Sequence, residues 1–333
     1  MLSEFDLIDR YFTRRARTHS RRAALGIGDD CALIAPAAGE MLAVSTDMLV
    51  EGRHFLPDVD PRALGHKALA VNLSDLAAMG AAPLGFTLAL SLPAPREAWL
   101  DAFSQGLFDL ADRYDCELIG GDTTAGPLNL CITVFGSVPA DRALRRDAAK
   151  PGDDVWVSGT PGDARAGLGL LRGEWTVDQA EHAAALRRAL EMPEPRVALG
   201  LALRGVARAA LDVSDGLAGD LMHIVERSNL GALIDADAPP KSAALAKLPP
   251  DVQRRCALAG GDDYELCFTA AREQRAAVEA AGQRAAVRVT RIGTMTSLDS
   301  ADPERAAPSI SWHDASGAPL NLTLQGFDHF HAD

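Results

Sequence analysis

"DPRALGHKALAVNLSDLAAMG", residues 60–80, reads as a helix with both ends marked. Asp60 is a capping residue type. Pro61 suits the first helical position, where its fixed φ is already helical and no N–H is needed, and Gly80 suits the stop. Apolar runs flank it, "EMLAVSTDML" (40–49) before and "LGFTLALSLP" (84–93) after, and both read as strands. The alternation continues outward. Residues 96–115 read as a helix with Trp99, Phe103, Leu107 and Leu110 on its inner stripe, followed by strands over 116–122 and 128–138.

The charged stretch "DRALRRDAAKPGDD" (141–154) ends the first run and has linker chemistry. Beyond it the alternation resumes with strand "DVWVSGT", helices near 163–172, 178–190 and 195–208, and a strand end at "ALDVSDG" (210–216). A helix "LAGDLMHIVERS", strands "GALIDAD", "DYELCFTA" (263–270) and "VRVTRIGTM", and helix "REQRAAVEAAG" complete it, and the tail from 296 reads as loop-rich. The fold class is therefore α/β in two domains, residues 1–145 and 151–333. The opening "MLSEFDLIDRYF" reads as an amphipathic helix with Leu2, Phe5, Ile8 and Phe12 on one side, and the basic patch Arg14–Arg22 as a solvated turn.

Of the 333 residues, 47% are apolar and 24% charged, and the formal net charge is −13. So acidic a chain argues against direct nucleic-acid binding, which rests on Lys and Arg. The five cysteines form no CxxC motif and read as reduced thiols. Without a run of about 20 apolar residues or a basic, signal-like start, the expectation is a cytoplasmic protein with no membrane partner.

Carboxylates recur at strand ends and beside glycines. "GIGDDCAL" (26–33) carries Asp29 and Asp30, "STDMLVEGRHF" carries Asp47, and "NLSDLAAMG" sets Asn72 and Asp75 on one helix face. "LIGGDTT" carries Asp122 after two glycines, "LDVSDGLAGD" carries Asp212 and Asp215, and "GGDDYEL" carries Asp262 and Asp263. Singly, each suits a turn or a helix cap, Asp215 included. Gathered together, they would repel, by about 4 kcal/mol for two carboxylates about 4 Å apart at an effective dielectric near 20, until a cation intervened. Oxygen donors without a His or Cys cluster favour Mg²⁺, Ca²⁺ or Mn²⁺ over zinc. Mg²⁺ held this way completes its shell with phosphate oxygens, which points to ATP as co-substrate. GxxxxGK[ST] and strand-to-helix GxGxxG loops are absent, while "SGTPGDARAGLGLL" (158–171) opens a helix and could offer N–H groups to phosphate.

In their order, these motifs, with "VEGRHF" and the terminal "GFDHF", resemble the thiamine-monophosphate kinase family across residues 4–330. The resemblance implies an aminoimidazole-ribonucleotide synthetase-like fold whose N-terminal domain pairs across a homodimer. It also implies phosphorylation of thiamine monophosphate by ATP with several Mg²⁺ ions. It assigns Asp30, Asp47, Asp75, Asp122 and Asp212 to metal, with help from Ser45 and Thr46, and a further ion to Asp215. Gly121, Asp122, Arg146 and Ser214 are assigned to ATP, and His54, Asp262 and Phe327 to the thiamine phosphate. The family usually has Glu at the position of Asp262 and often Tyr at that of Phe327. The acceptor is itself a phosphate monoester with a second pKa near 6, so no general base is expected. Another ATP-dependent synthetase of the superfamily, a metal-dependent phosphohydrolase, and a nucleotide- or cation-binding protein without turnover remain alternatives.

Overall fold

The computed structural model describes residues 4–13, 23–27, 30–299, 306–324 and 326 and, for Glu4 and Phe5, the backbone alone. They form two compact units divided at Asp141/Arg142, with Ala77–Gly80 grouped in the second. The charged stretch read as a linker thus belongs to the second unit from Arg142 onward.

In the first unit, helix α1 (Glu4–Leu7) continues as a π-helical segment, Ile8–Thr13. Of the expected stripe Phe12 is buried and Ile8 half-buried, and Leu7 and Tyr11 are buried beside them; Leu2, Arg14–Arg22 and the Phe5 side chain lie outside the described residues. Next come β1 (Glu40–Val50), α2 (Pro61–Ala78), β2 (Ala82–Leu92), α3 (Glu97–Arg113), β3 (Glu117–Ala125) and β4 (Asn129–Pro139). Asp60 caps α2, its Oδ1 accepting from Arg62 N at 3.0 Å, and Gly80 ends it at φ 64°. Helices α2 and α3 pack backbone to backbone: a Cβ on Gly106 would stand 1.8 Å from Arg62 O. The buried stripe of α3 runs through Leu100, Phe103, Leu107 and Leu110, while Trp99 is half-buried and stacks on Phe103 at 4.9 Å.

The sheet order is β1-β4-β2-β3, with β2–β3 parallel and the other pairs antiparallel. Leu49, Leu88, Leu90, Leu130 and Ile132 are buried on the helix-covered face. The other face of β1 exposes Leu42, Val44, Met48 and Val50, with Val44 56% and Met48 53% exposed. Strand β3 outruns its expected end at 122, so Asp122 sits within the strand, paired with Ala89 of β2.

The second unit holds β5 (Asp154–Ser158), α4 (Asp163–Leu171), α5 (Ala180–Glu191), α6 (Val197–Leu203), β6 (Ala209–Val213), α7 (Leu217–Ser228) and β7 (Gly231–Asp235). Helix α8 (Pro250–Ala259), β8 (Glu265–Ala270), α9 (Arg275–Arg284), β9 (Val289–Thr296), β10 (Ser309–His313) and β11 (Pro319–Leu320) follow. Its sheet runs β11-β10-β7-β9-β5-β8-β6. The helix expected over 195–208 is shorter, α8 was not anticipated, and the loop-rich tail supplies β10 and β11. Val155, Leu211, Val213, Ile224, Ile234 and Cys267 form part of the core.

Three buried acids of this unit are paired with arginines, among them Asp153 with Arg208 at 2.8 Å. Glu265 accepts from Ser158 Oγ at 2.5 Å and from Arg196 Nε and Nη2 at 2.7 and 2.5 Å. It presses on Gly159, where a Cβ would lie 1.7 Å from Oε1. Asp154, its side chain fully buried, accepts from Arg275 Nε at 2.6 Å and Nη2 at 2.9 Å, with Arg291 at 3.6 Å. All five cysteines carry free thiols, Cys31 exposed and Cys116, Cys256 and Cys267 buried.

Candidate active site

Alternation along β1 turns Ser45 and Asp47 toward α2, and the helical period turns Asn72 and Asp75 back toward them. Ser45 Oγ donates to Asp75 Oδ2 at 2.5 Å, and Asp47 N donates to Asn72 Oδ1 at 3.1 Å. Asn72 is buried and donates through Nδ2 to Ala68 O at 3.0 Å, so its amide pins β1 to α2 beside both carboxylates.

Thr46 and Asp122 lie on the opposite face of the sheet. Asp47 shares a cross-strand row with Ile132, Leu88 and Gly121, whereas Asp122 is in register with Ala89, Cys131 and exposed Met48. Thr46 Oγ1 lies 2.8 Å from Thr133 Oγ1. On this side Asp30, Gly121 and Asp122 line a cleft of about 1160 Å³, with Asp9, Phe12 and Phe135. Gly121, at φ 148°, is held so close to β2 that a Cβ would stand 2.0 Å from Leu88 O. The described residues lining the cleft include no Lys, Arg or His. Asp29 lies outside the described residues. His54, in the turn after β1, accepts from Val50 N through Nδ1 at 3.0 Å, which leaves the proton of the neutral ring on Nε2.

In the second unit, Asp212 is buried near the end of β6, and Ser214 and Asp215 follow before α7. Asp215 does not cap α7. The cap position is Gly216, without a side-chain cap bond, and Asp220 reaches back to accept from the N–H groups of Asp215 and Gly216, both at 3.0 Å. Burial pushes the Asp220 carboxyl up to about 7, the Asp215 charge adding to the rise while Arg146 opposes it. Asp220 was missed in the sequence, although an acid in the first helical turn is the known partner of such amides. Arg146 is exposed, and its carbonyl accepts from Ser228 Oγ at 2.9 Å.

The "GGDDYEL" segment lies against this turn. Asp262 N donates to Ser214 O and Tyr264 N to Val213 O, both at 2.8 Å. Asp263 accepts from Gly162 N at 2.7 Å and Ala164 N at 3.4 Å, so these amides of the glycine-rich loop serve a carboxylate of the protein itself, against the expectation that the loop offers N–H groups to phosphate. Burial pushes the Asp263 carboxyl well up. Gly326 of the terminal motif lies close to Gly219 and Asp215, and Phe327 lies outside the described residues.

The AIR synthase related protein family models match residues 28–138 (N-terminal domain) and 150–302 (C-terminal domain). Thiamine-monophosphate kinase of Escherichia coli (strain K12) is 50% identical over 328 residues, covering 98% of each chain. This chain belongs to the thiamine-monophosphate kinase family. The crystal structure of thiamine-monophosphate kinase from Stenotrophomonas maltophilia K279a superposes with a TM-score of 0.84 at 48% identity, over 96% of this chain and 98% of that one. A structure of AaThiL complexed with AMPPCP and TMP superposes with a TM-score of 0.74 at 29% identity, over 99% and 97%.

For a thiamine-monophosphate kinase family member, the donors fit a hard divalent cation. Asp30 and Asp122 line one cleft, and Ser45 bonds Asp75 at the β1–α2 contact, where the Asp47 backbone is tied to Asn72. Among the described residues no three His, Cys, Asp or Glu side chains are grouped closely enough to hold an ion by themselves. Such donors suit Mg²⁺ that takes one or two carboxylates and fills its shell from water and substrate.

Proposed function

We propose that this chain transfers the γ-phosphoryl group of ATP to thiamine monophosphate, giving thiamine diphosphate and ADP. The observation that carries the reading is the cleft where Asp30, Gly121 and Asp122, three positions assigned to metal or ATP, come together. A structural relative complexed with AMPPCP, an ATP analogue, and TMP supports the same substrate pair.

In this reading Asp30, Asp47, Asp75, Asp122, Asp212 and Asp215, with Ser45 and Thr46, hold Mg²⁺. Bound Mg²⁺ would screen the two anionic substrates from each other and offset charge on the transferring group. Gly121 offers a close backbone approach to ATP, Ser214 a hydroxyl, and Arg146 a fixed positive charge. His54 and Phe327 bind the thiamine phosphate. Asp262, shorter than the usual Glu, reaches it directly or through a water. An oxygen of the acceptor phosphate attacks the γ-phosphorus in line as the bond to the β,γ-bridging oxygen of ATP breaks. The acceptor is mostly a dianion at neutral pH, so no side chain removes a proton.

The chain acts as a homodimer, supported by the exposed face of β1, where Leu42, Val44, Met48 and Val50 are apolar on either side of Thr46. Incubation with ATP, Mg²⁺ and thiamine monophosphate should yield thiamine diphosphate and ADP in equal amounts. ADP formed only with formylglycinamidine ribonucleotide would identify a synthetase instead. Inorganic phosphate released without an acceptor would identify a hydrolase.

A further inference from the structure

Asp262 and Tyr264 both hold left-handed backbone, at φ 66° and 52°, on either side of Asp263. Non-glycine residues adopt this region at a steric cost, so something must hold them there. The holding groups are the two amide bonds to Ser214 O and Val213 O and the two bonds from Asp263 to the start of α4. Gly261 completes the contact, since a Cβ there would stand 2.5 Å from Ser214 O. Within this arch Tyr264 is 9% exposed, and its hydroxyl donates to Asp262 Oδ1 at 3.2 Å.

We propose that Tyr264 is a positioning residue for the acceptor substrate, acting through Asp262. This rests on the reading of Asp262 as a contact to the thiamine phosphate. An Asp side chain has a shorter reach than Glu and can still rotate about χ1 and χ2, and a hydroxyl on one oxygen fixes the direction of the other. The buried ring supplies the fixed point from which that hydroxyl works. The same arch ties Asp262 to Ser214, so acceptor and nucleotide contacts of this unit share one rigid backbone. Tyr264 therefore governs the affinity for the acceptor more than the rate of transfer.

The test is a double-mutant cycle with Asp262→Ala, Tyr264→Phe and the combination, measuring kcat and both KM values. Tyr264→Phe keeps the buried ring, and its Tm checks the fold. Loss of one hydrogen bond to a charged group should raise KM for thiamine monophosphate about tenfold, leaving KM for ATP and kcat within about twofold. In the Asp262→Ala background the same change should add nothing. If Asp262→Ala leaves the acceptor KM unchanged, the reading of Asp262 fails and takes the proposal with it. If Asp262→Ala raises that KM but Tyr264→Phe does not, or the two effects multiply in the double variant, the role of Tyr264 alone is overturned.

Discussion

Ser45 Oγ and Asp75 Oδ2 stand 2.5 Å apart, so a hydroxyl on an edge strand and a carboxylate on its covering helix face the same point. An Asn at 75 keeps an oxygen to accept that bond while removing the charge. Asp75→Asn should fold with an unchanged Tm and lose about 100-fold or more in kcat, with Ser45→Ala losing less. Near-full activity in folded Asp75→Asn would remove Asp75 from the metal set.

Nucleotide should grip through metal. An ATP analogue with Mg²⁺ should raise Tm by several degrees, while the analogue alone moves it far less. Equal shifts measured by differential scanning fluorimetry would mean that the phosphates are held by protein groups alone.

If the attacking group is the acceptor's own dianion, the pH profile belongs to the substrate. The value of kcat/KM for thiamine monophosphate should rise up to about pH 6 and then stay level through pH 8. A second rise that vanishes on replacing a particular side chain would reveal a general base.

Asp154 tests stability apart from catalysis. The Arg275 guanidinium, through its hydrogen bonds, holds the Asp154 carboxyl below the usual carboxylate range. A depressed carboxylate stabilises the fold fully above its unfolded value, about 3.9, and that share is lost as pH falls through the folded value. Arg275→Met should therefore lower Tm clearly at pH 7, with the gap to the parent narrowing below about pH 4. A gap independent of pH would point to lost packing instead.

The exposed strip on β1 offers a check on association. Val44→Glu puts a charge among Leu42, Met48 and Val50 and should shift the sedimentation profile to monomer while leaving the unit folded. A variant that sediments like the parent would place the homodimer contact elsewhere.

Elements announced by local chemistry were legible before any coordinates. Helix α2 carries its cap, its proline and its glycine stop in sequence, and all three act as read. What depended on distant pairing was not legible. Strand β10 exists because Ser309–His313 lies parallel to Gly231–Asp235, and β3 continues through Asp122 because β2 pairs with it as far as Ala125. Helix α8 buries Cys256, Ala257 and Leu258 in succession at its C-terminal end and begins at Pro250, a start that the sequence reading passed over. The acidic motifs were visible as a set, but their division of labour was not. Which of Asp262 and Asp263 turns inward to cap α4 depends on two left-handed residues that sequence patterns do not announce.

Gly159, Glu265 and Arg196 carry a lesson about drift. Position 159 has φ 59° and no room for a methyl group because a carboxylate occupies that space, and the carboxylate is tolerable there because a guanidinium clasps it. Any one of the three altered alone leaves a clash or a stranded charge. Across descendants of a common ancestor, these positions should therefore be inherited as a block, and an exchange at one should be accompanied by exchanges at the other two.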